Sequence, residues 1–139
     1  MRTVADEARP YPADKLCPCQ HGETYANCCG QIINGATAAP TAVQLMRSRY
    51  TAFAVGAVDY LLTSWHPRTR PDVLELDPEQ TWRRLEIIRT DKGGPFDKDG
   101  IVEFRAHYRH SGERGSLHEV SRFVREQGRW LYVDGQILP

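Results

Sequence analysis

The four cysteines of this chain fall in one run of thirteen residues, Cys17-Pro18-Cys19-Gln20-His21-Gly22-Glu23-Thr24-Tyr25-Ala26-Asn27-Cys28-Cys29, and the 110 residues that follow hold none. So dense a cluster leaves two chemistries. Four thiolates complete the tetrahedral shell of a structural Zn²⁺, at roughly 2.3 Å each. The alternative is a pair of disulfides. Within a dyad, Cys17 with Cys19 or Cys28 with Cys29, the bridge strains the torsion near about ±90° that a disulfide needs. Pairs crossed between the dyads close loops of about ten residues and require an oxidising compartment.

The N-terminus, Met1-Arg2-Thr3-Val4-Ala5-Asp6-Glu7, is charged from the outset and has no apolar core of a secretory signal. No window approaches the ~18 apolar residues of a membrane span. The chain is therefore expected in the cytoplasm and off the membrane, where thiols stay reduced and clustered cysteines favour metal. Pro18 stiffens the first dyad, and Gly22 permits a chain reversal without a Cβ penalty. Asn27 and Gly30 flank the second dyad with residues that tolerate left-handed backbone. A segment of ~20 residues buries too little apolar surface to fold alone, so a bound ion would supply its folding free energy. A four-thiolate shell leaves no open position, which points to a structural ion. His21, between the dyads, is read as an exposed loop residue, with replacement of one thiolate as the alternative.

The spacing C-x-C, eight residues, C-C resembles the SEC-C motif, C-P-C-G-S-G-x-x-Y-x-x-C-C or C-H. Cys17, Pro18, Cys19, Gly22, Tyr25, Cys28 and Cys29 match it, while Gln20-His21 stand where Gly-Ser is usual. The resemblance implies Zn²⁺ on the four cysteines. In the tail of the preprotein-translocase ATPase SecA the motif contacts the chaperone SecB, so a protein partner is also implied.

With 139 residues, 40% hydrophobic and 26% charged, the remainder suits one globular domain. Residues 1–16 are expected as a flexible lead-in, 17–35 as the zinc knuckle and 36–139 as the main domain, with 31–40 a joining loop. Thr41 is a credible N-cap for a helix over about 42–55, whose Met46, Tyr50, Phe53, Ala54 and Ala57 follow helical spacing. Gly56 interrupts it. A second helix carries Tyr60, Leu61, Leu62 and Trp65 and ends by Pro67. Asp77-Pro78-Glu79-Gln80 reads as the start of a third, running to about Arg84. Strands are expected at Leu85–Thr90, Ile101–His110, Ser116–Arg125 and Arg129–Val133, with a two-residue turn at Gln127-Gly128 and a longer one over Ser111–Gly115. Three helices and an antiparallel meander make an α+β domain. Order and size resemble the NTF2-like cone, a curved sheet wrapped on a long helix.

Leu45-Met46-Arg47-Ser48-Arg49-Tyr50, Tyr60-Leu61-Leu62, Trp65-His66-Pro67, Glu119-Val120-Ser121-Arg122-Phe123 and Trp130-Leu131-Tyr132-Val133-Asp134-Gly135 together resemble the bacterial YchJ-like family. That resemblance implies an N-terminal SEC-C motif joined to an NTF2-like domain, with no established activity.

Candidate ligand-pocket residues come from the same blocks: Arg49, Trp65, His66, Glu119, Ser121 and Tyr132. Arg47 and Arg49 project from different sides of their helix, with one expected in solvent and one in an ion pair. His66 at a helix end reads either as a base or as a cation favoured by the helix dipole. Alternation puts Val102, Phe104, Ala106 and Tyr108 in the core and Glu103, Arg105, His107 and Arg109 outside. On the next strand, either Leu117, Glu119, Ser121 and Phe123 face the core, or His118, Val120, Arg122 and Val124 do. The first register is preferred. It makes Glu119 a buried acid in need of a partner, with Arg49 and His66 as candidates.

Three function classes remain. The leading one is a non-enzymatic adaptor whose knuckle contacts a protein or ribosomal partner. The second is a small-ligand binder or enzyme using the cone, for which a cavity of ~300 Å³ walled by Glu119 would speak. The third, nucleic-acid binding through the zinc segment, is disfavoured by a net charge of zero. A monomer or a homodimer is expected, the polar outer strand face arguing against pairing.

Overall fold

The computed structural model describes residues 11–139. A single 3-10 turn, Tyr25–Asn27, leads into helices α1 (Cys29–Ile33), α2 (Ala42–Val55) and α3 (Val58–Thr63). Strands β1 (Gln80–Lys92), β2 (Asp99–His110), β3 (Glu113–Glu126) and β4 (Arg129–Leu138) follow as one antiparallel sheet in sequence order. This is the α+β architecture expected, three helices on a curved sheet.

Helix α2 starts where its cap dictates: Thr41 Oγ1 accepts a hydrogen bond from the Gln44 amide at 3.2 Å. It stops at Gly56, whose φ of 82° is left-handed. The start is also seated on the β1–β2 loop, where the Ala42 amide donates to the Gly93 carbonyl at 2.9 Å. A Cβ on Gly100 would lie 2.5 Å from the Gly93 Cα, so two glycines let these strand ends close under the helix. Leu45, Met46, Tyr50 and Ala52 bury the inner face of α2, which packs on β1, β2 and β4. Val102, Phe104, Ala106, Phe123 and Trp130 meet it from the sheet. Register shifts between Trp82 and Arg84, Ile87 and Arg89, and Arg122 and Phe123 interrupt the ladder. Such irregularities bend and twist a sheet, which is what wraps this one around α2.

The outer face is a charged lattice. Glu103 takes Arg89 Nε at 2.9 Å and His118 Nε2 at 2.7 Å, while Glu86 takes His107 at 3.3 Å and Arg105 at 3.7 Å.

Four expectations need correction. Residues 78–84 are not helical: β1 begins at Gln80. Asp77 Oδ1 accepts from the Glu79 amide at 2.9 Å, the short-range bond of an Asx turn, and Thr81, Trp82, Ile87 and Ile88 are strand formers. The third helix is instead α1, inside the knuckle, so residues 31–33 of the supposed joining loop are helical. The turn over Ser111–Gly115 shrinks to two residues, Ser111 (φ 50°) and Gly112 (φ 87°), matching Gln127 (φ 53°) and Gly128 (φ 77°) in the last hairpin. Both have the double left-handed form that suits the twist of a hairpin. Residues 11–16, placed in the lead-in, bind the knuckle. The Tyr25 and Ala26 amides donate to Lys15 and Ala13 carbonyls at 2.8 and 3.0 Å, and Leu16 bridges Thr24. The rest of the lead-in lies outside the described residues.

Candidate metal centre and cone cavity

The cysteine loop is shaped by backbone. The Cys17 amide donates to the Glu23 carbonyl at 2.9 Å, the Gln20 amide to Cys17 at 3.0 Å and the Cys28 amide to Tyr25 at 3.1 Å. Gln20 (φ 64°) and Gly22 (φ 103°) supply the reversal between the dyads. Gly30 leaves room for Tyr25: a Cβ there would sit 2.6 Å from its carbonyl oxygen.

This folding brings the sulfurs of Cys17, Cys19, Cys28 and Cys29 within 4.8 Å of one another. Cys19 and Cys28 are 3.6 Å apart, Cys28 and Cys29 3.9 Å. Metal–sulfur bonds of roughly 2.3 Å in a regular tetrahedron put sulfurs about 3.8 Å apart, so the donor set fits one tetrahedral ion. All four cysteines are free, which sets the disulfide alternative aside. His21 is exposed and outside the cluster.

Without a cation the sulfurs cannot all be thiolates. Hydrogen bonds from Cys19 and Cys29 hold Cys17 far below the usual thiol range, whereas burial pushes Cys28 up to about 12. Hydrogen bonding to Cys17 and then Cys19 drives Cys29 higher still. A divalent ion at the centre removes this conflict by favouring every thiolate at once. The cluster is also fastened to the domain. Cys17 Sγ lies 3.6 Å from Thr51 Oγ1, Arg47 Nη1 donates to the Cys19 carbonyl at 3.3 Å, and Gln20 Nε2 donates to the Arg83 carbonyl at 2.9 Å.

A second feature lies between α2 and the sheet: a cavity of about 300 Å³. Of the six candidate residues, Arg49, Trp65, Glu119 and Tyr132 line it. Strand β3 carries Glu119 and Ser121 inward, both buried. Glu119 Oε2 accepts from Ser121 Oγ at 2.6 Å and from the Tyr132 hydroxyl at 3.0 Å. Ser121 thus positions the acid from behind the wall. Burial, then the neighbouring Glu119 carboxylate, raises the Tyr132 phenol above its ordinary range and keeps it a donor.

Neither expected partner reaches Glu119. Arg49 Nη1 donates to the Leu61 carbonyl at 2.8 Å and Ser64 Oγ at 2.6 Å. Its guanidinium carbon lies 4.6 Å from the Tyr132 ring centre and 4.9 Å from that of Trp65. Among the described residues neither Arg47 nor Arg49 forms an ion pair, contrary to the expectation of one. Desolvation lowers the Arg49 value to about 10, leaving it cationic at neutral pH. His66 is away from the cavity. Its Nδ1 accepts from the Arg68 amide at 3.1 Å, so Nε2 carries the proton and donates to Glu126 at 3.0 Å. It ties the end of α3 to β3.

Sequence reasoning missed the apolar wall, Tyr50, Phe53, Trp82 and Phe104, and with it Gln80. It also missed Gly135. A Cβ at that position would fall 2.0 Å from Glu119 Oε2, so the acid occupies the space this glycine leaves. A glycine inside β4 was the available signal, since strand glycines mark close approach.

A cone of this kind, carrying a four-cysteine knuckle at its N-terminal edge, defines an NTF2-like protein with a SEC-C motif. Residues 41–135 match the family model described as YchJ, middle NTF2-like domain. A UPF0225 protein of Streptomyces coelicolor is 54% identical over 122 residues, 88% of this chain and 95% of that protein. One from Chromobacterium violaceum is 49% identical over 129 residues, 90% of this chain and 95% of the relative. The solution structure of a SEC-C motif containing protein from Rhodopseudomonas palustris superposes with a TM-score of 0.77 at 32% identity, covering 88% of this chain and 98% of that one. The crystal structure of a SEC-C motif containing protein from Psychrobacter arcticus shares the fold, with a TM-score of 0.74 over 91% of this chain and 85% of that one at 24% identity. This chain belongs to the YchJ-like, UPF0225 family. No helix among its described residues is long and apolar enough to cross a membrane.

Proposed function

We propose that this chain is a zinc-stabilised small-ligand-binding protein: four thiolates hold Zn²⁺ as a structural clip, and the cone cavity is the working site. Zn²⁺ suits an all-sulfur tetrahedral shell, and four free cysteines suit a reducing compartment such as the cytoplasm. A closed shell offers no position for substrate, so the ion organises the protein and does no chemistry.

The carrying observation is the cavity of about 300 Å³ with a buried acid and a buried cation on one wall. Such apolar hollows with a few convergent polar groups are the usual form of ligand sites. Elemental analysis of the reduced protein should find one zinc per chain. Amide and indole NMR signals of Trp65, Trp82 and Glu119 should shift with members of a chemically broad fragment set. A set that moves none of these signals overturns the ligand reading.

An adaptor role for the knuckle is the second reading, favoured by Leu16, which stands 67% exposed beside the cysteine loop. Capture of a defined partner protein that is lost both on chelation and with Leu16→Ser would support it; capture indifferent to both would remove it. Nucleic-acid binding gains no such support: the net charge is zero, and on the outer sheet face Arg89 and Arg105 pair with Glu103 and Glu86.

A further inference from the structure

The cavity has two unlike ends. One is apolar and aromatic: Trp82 packs on Tyr50 and Phe53, with ring centres 6.1 and 6.2 Å apart, and Phe104 adds to the wall. The other is organised on one phenol. Arg49 lies over the face of Tyr132, and Glu119 lies on its hydroxyl.

Several polar atoms at that end have no partner. Arg49 is only 3% exposed, and both its hydrogen bonds leave from Nη1. Among the described residues no acceptor reaches its Nε or Nη2. Glu119 uses Oε2 for both hydroxyl donors, while Oε1 accepts from neither. The Trp65 indole Nε1–H is buried with nothing to donate to. Only the indole nitrogen is sealed from solvent. The Arg49 and Glu119 atoms keep accessible surface on the cavity residues, so their complement is water or a ligand held there.

Charge narrows what that complement is. Arg49 and Glu119 offer one positive and one negative charge on the same wall. An anion that satisfies Arg49 meets the Glu119 carboxylate, and a cation that satisfies Glu119 meets the guanidinium. Moving a net charge into a largely apolar hollow adds its own desolvation cost. A neutral group with an acceptor beside a donor answers both without either penalty.

Resting on the ligand-site reading above, we propose that the cavity takes a small, net-neutral molecule with a flat apolar body and a carboxamide- or lactam-like head. Its carbonyl oxygen accepts from Arg49, its N–H donates to Glu119 Oε1, and its body lies against Trp82 and Phe104. The Glu119 seat requires Gly135, so the head group is read by residues of α2, β3 and β4 together.

The test uses the metal-loaded full chain and four probes, benzamide, benzoate and benzylammonium of similar size and the larger zwitterion phenylalanine, followed at the Trp65 indole and Arg49 Nε–H signals. Benzamide should bind at least about tenfold more tightly than the other three, the usual discrimination when a buried hydrogen-bonding group is left unpaired. Glu119→Gln keeps the shape and removes the negative charge, so benzoate should gain about tenfold relative to benzamide. Arg49→Lys, which keeps the charge and loses the planar fork, should weaken benzamide without favouring either ion. Equal or tighter binding of benzoate, benzylammonium or zwitterionic phenylalanine to the unmodified protein overturns the head-group assignment. Silence from all four probes, while other fragments shift the cavity signals, overturns it too and leaves the ligand site standing. Silence from probes and fragments alike removes both.

Discussion

The knuckle and the cone cavity solve the same problem, holding polar groups out of water, by opposite routes. In the knuckle four like donors lie within thirteen residues and converge because the backbone turns between them. On the proposed reading each gains its role only with an ion, and that ion would supply the stability. In the cavity the polar groups are few, of opposite charge, and drawn from positions 49, 65, 119 and 132. They are fixed by packing and by hydroxyl donors, so their cost is borne by the fold. A local site is thus conditional on its ligand, whereas a dispersed site is conditional on the sheet and helix around it.

That contrast can be broken most forcefully at the knuckle. Cys17→Ser, or chelation of the unmodified chain, should remove the ion and cost on the order of 3–5 kcal/mol, measured by denaturant unfolding with parallel metal analysis. Because Cys17 and Cys19 are also tied to α2, the loss should reach the domain and not stop at residue 35. Unchanged unfolding after complete metal removal would show the knuckle to be an ornament.

Gly135→Ala comes next. Its methyl meets Glu119 Oε2, so the acid must move into the cavity, costing about 1–3 kcal/mol by overpacking. Adding Glu119→Ala should recover part of that loss, and a crystal structure of the single variant should show the displaced carboxylate. Arg49→Met sharpens the comparison from the other side. It removes a buried cation that lacks an ion pair, and a well-packed apolar replacement should alter stability by no more than about 1 kcal/mol, in either direction. Fragment binding at the cavity should nevertheless vanish. The smallest effect is expected at His66. His66→Gln loses its bond to the half-exposed Glu126, worth no more than about 0.5 kcal/mol, and leaves cavity signals unmoved.

How much of this was legible follows the same division. The cysteine cluster was readable residue by residue, because its sulfurs and the glycine that bends the loop are neighbours in the chain. The helix over 42–55, with its Thr41 cap and Gly56 stop, was readable for the same reason. The supposed helix at 78–84 failed because Asp77-Pro78-Glu79-Gln80 is a start signal shared by helices and Asx turns. What decided the outcome was pairing of Thr81 and Trp82 with Arg109 and Tyr108, almost thirty residues away. Periodicity made Glu119 a candidate for burial, but it offered no way to see that Ser121 and Tyr132 hold it. Arg49, proposed as its partner, instead spans from α2 to the carbonyl of Leu61.

Sequence alone determined the cysteine cluster, the cap and stop of α2 and the alternation of the strands, since each depends on contacts within a few residues. Tertiary structure decided which polar groups meet. Across strands, one residue of register moves a side chain to the other face of the sheet, and no local preference is strong enough to set that choice. Only the closing of β3 and β4 over α2, through Gly135 and the bulge near Phe123, placed an acid and a cation on the same phenol.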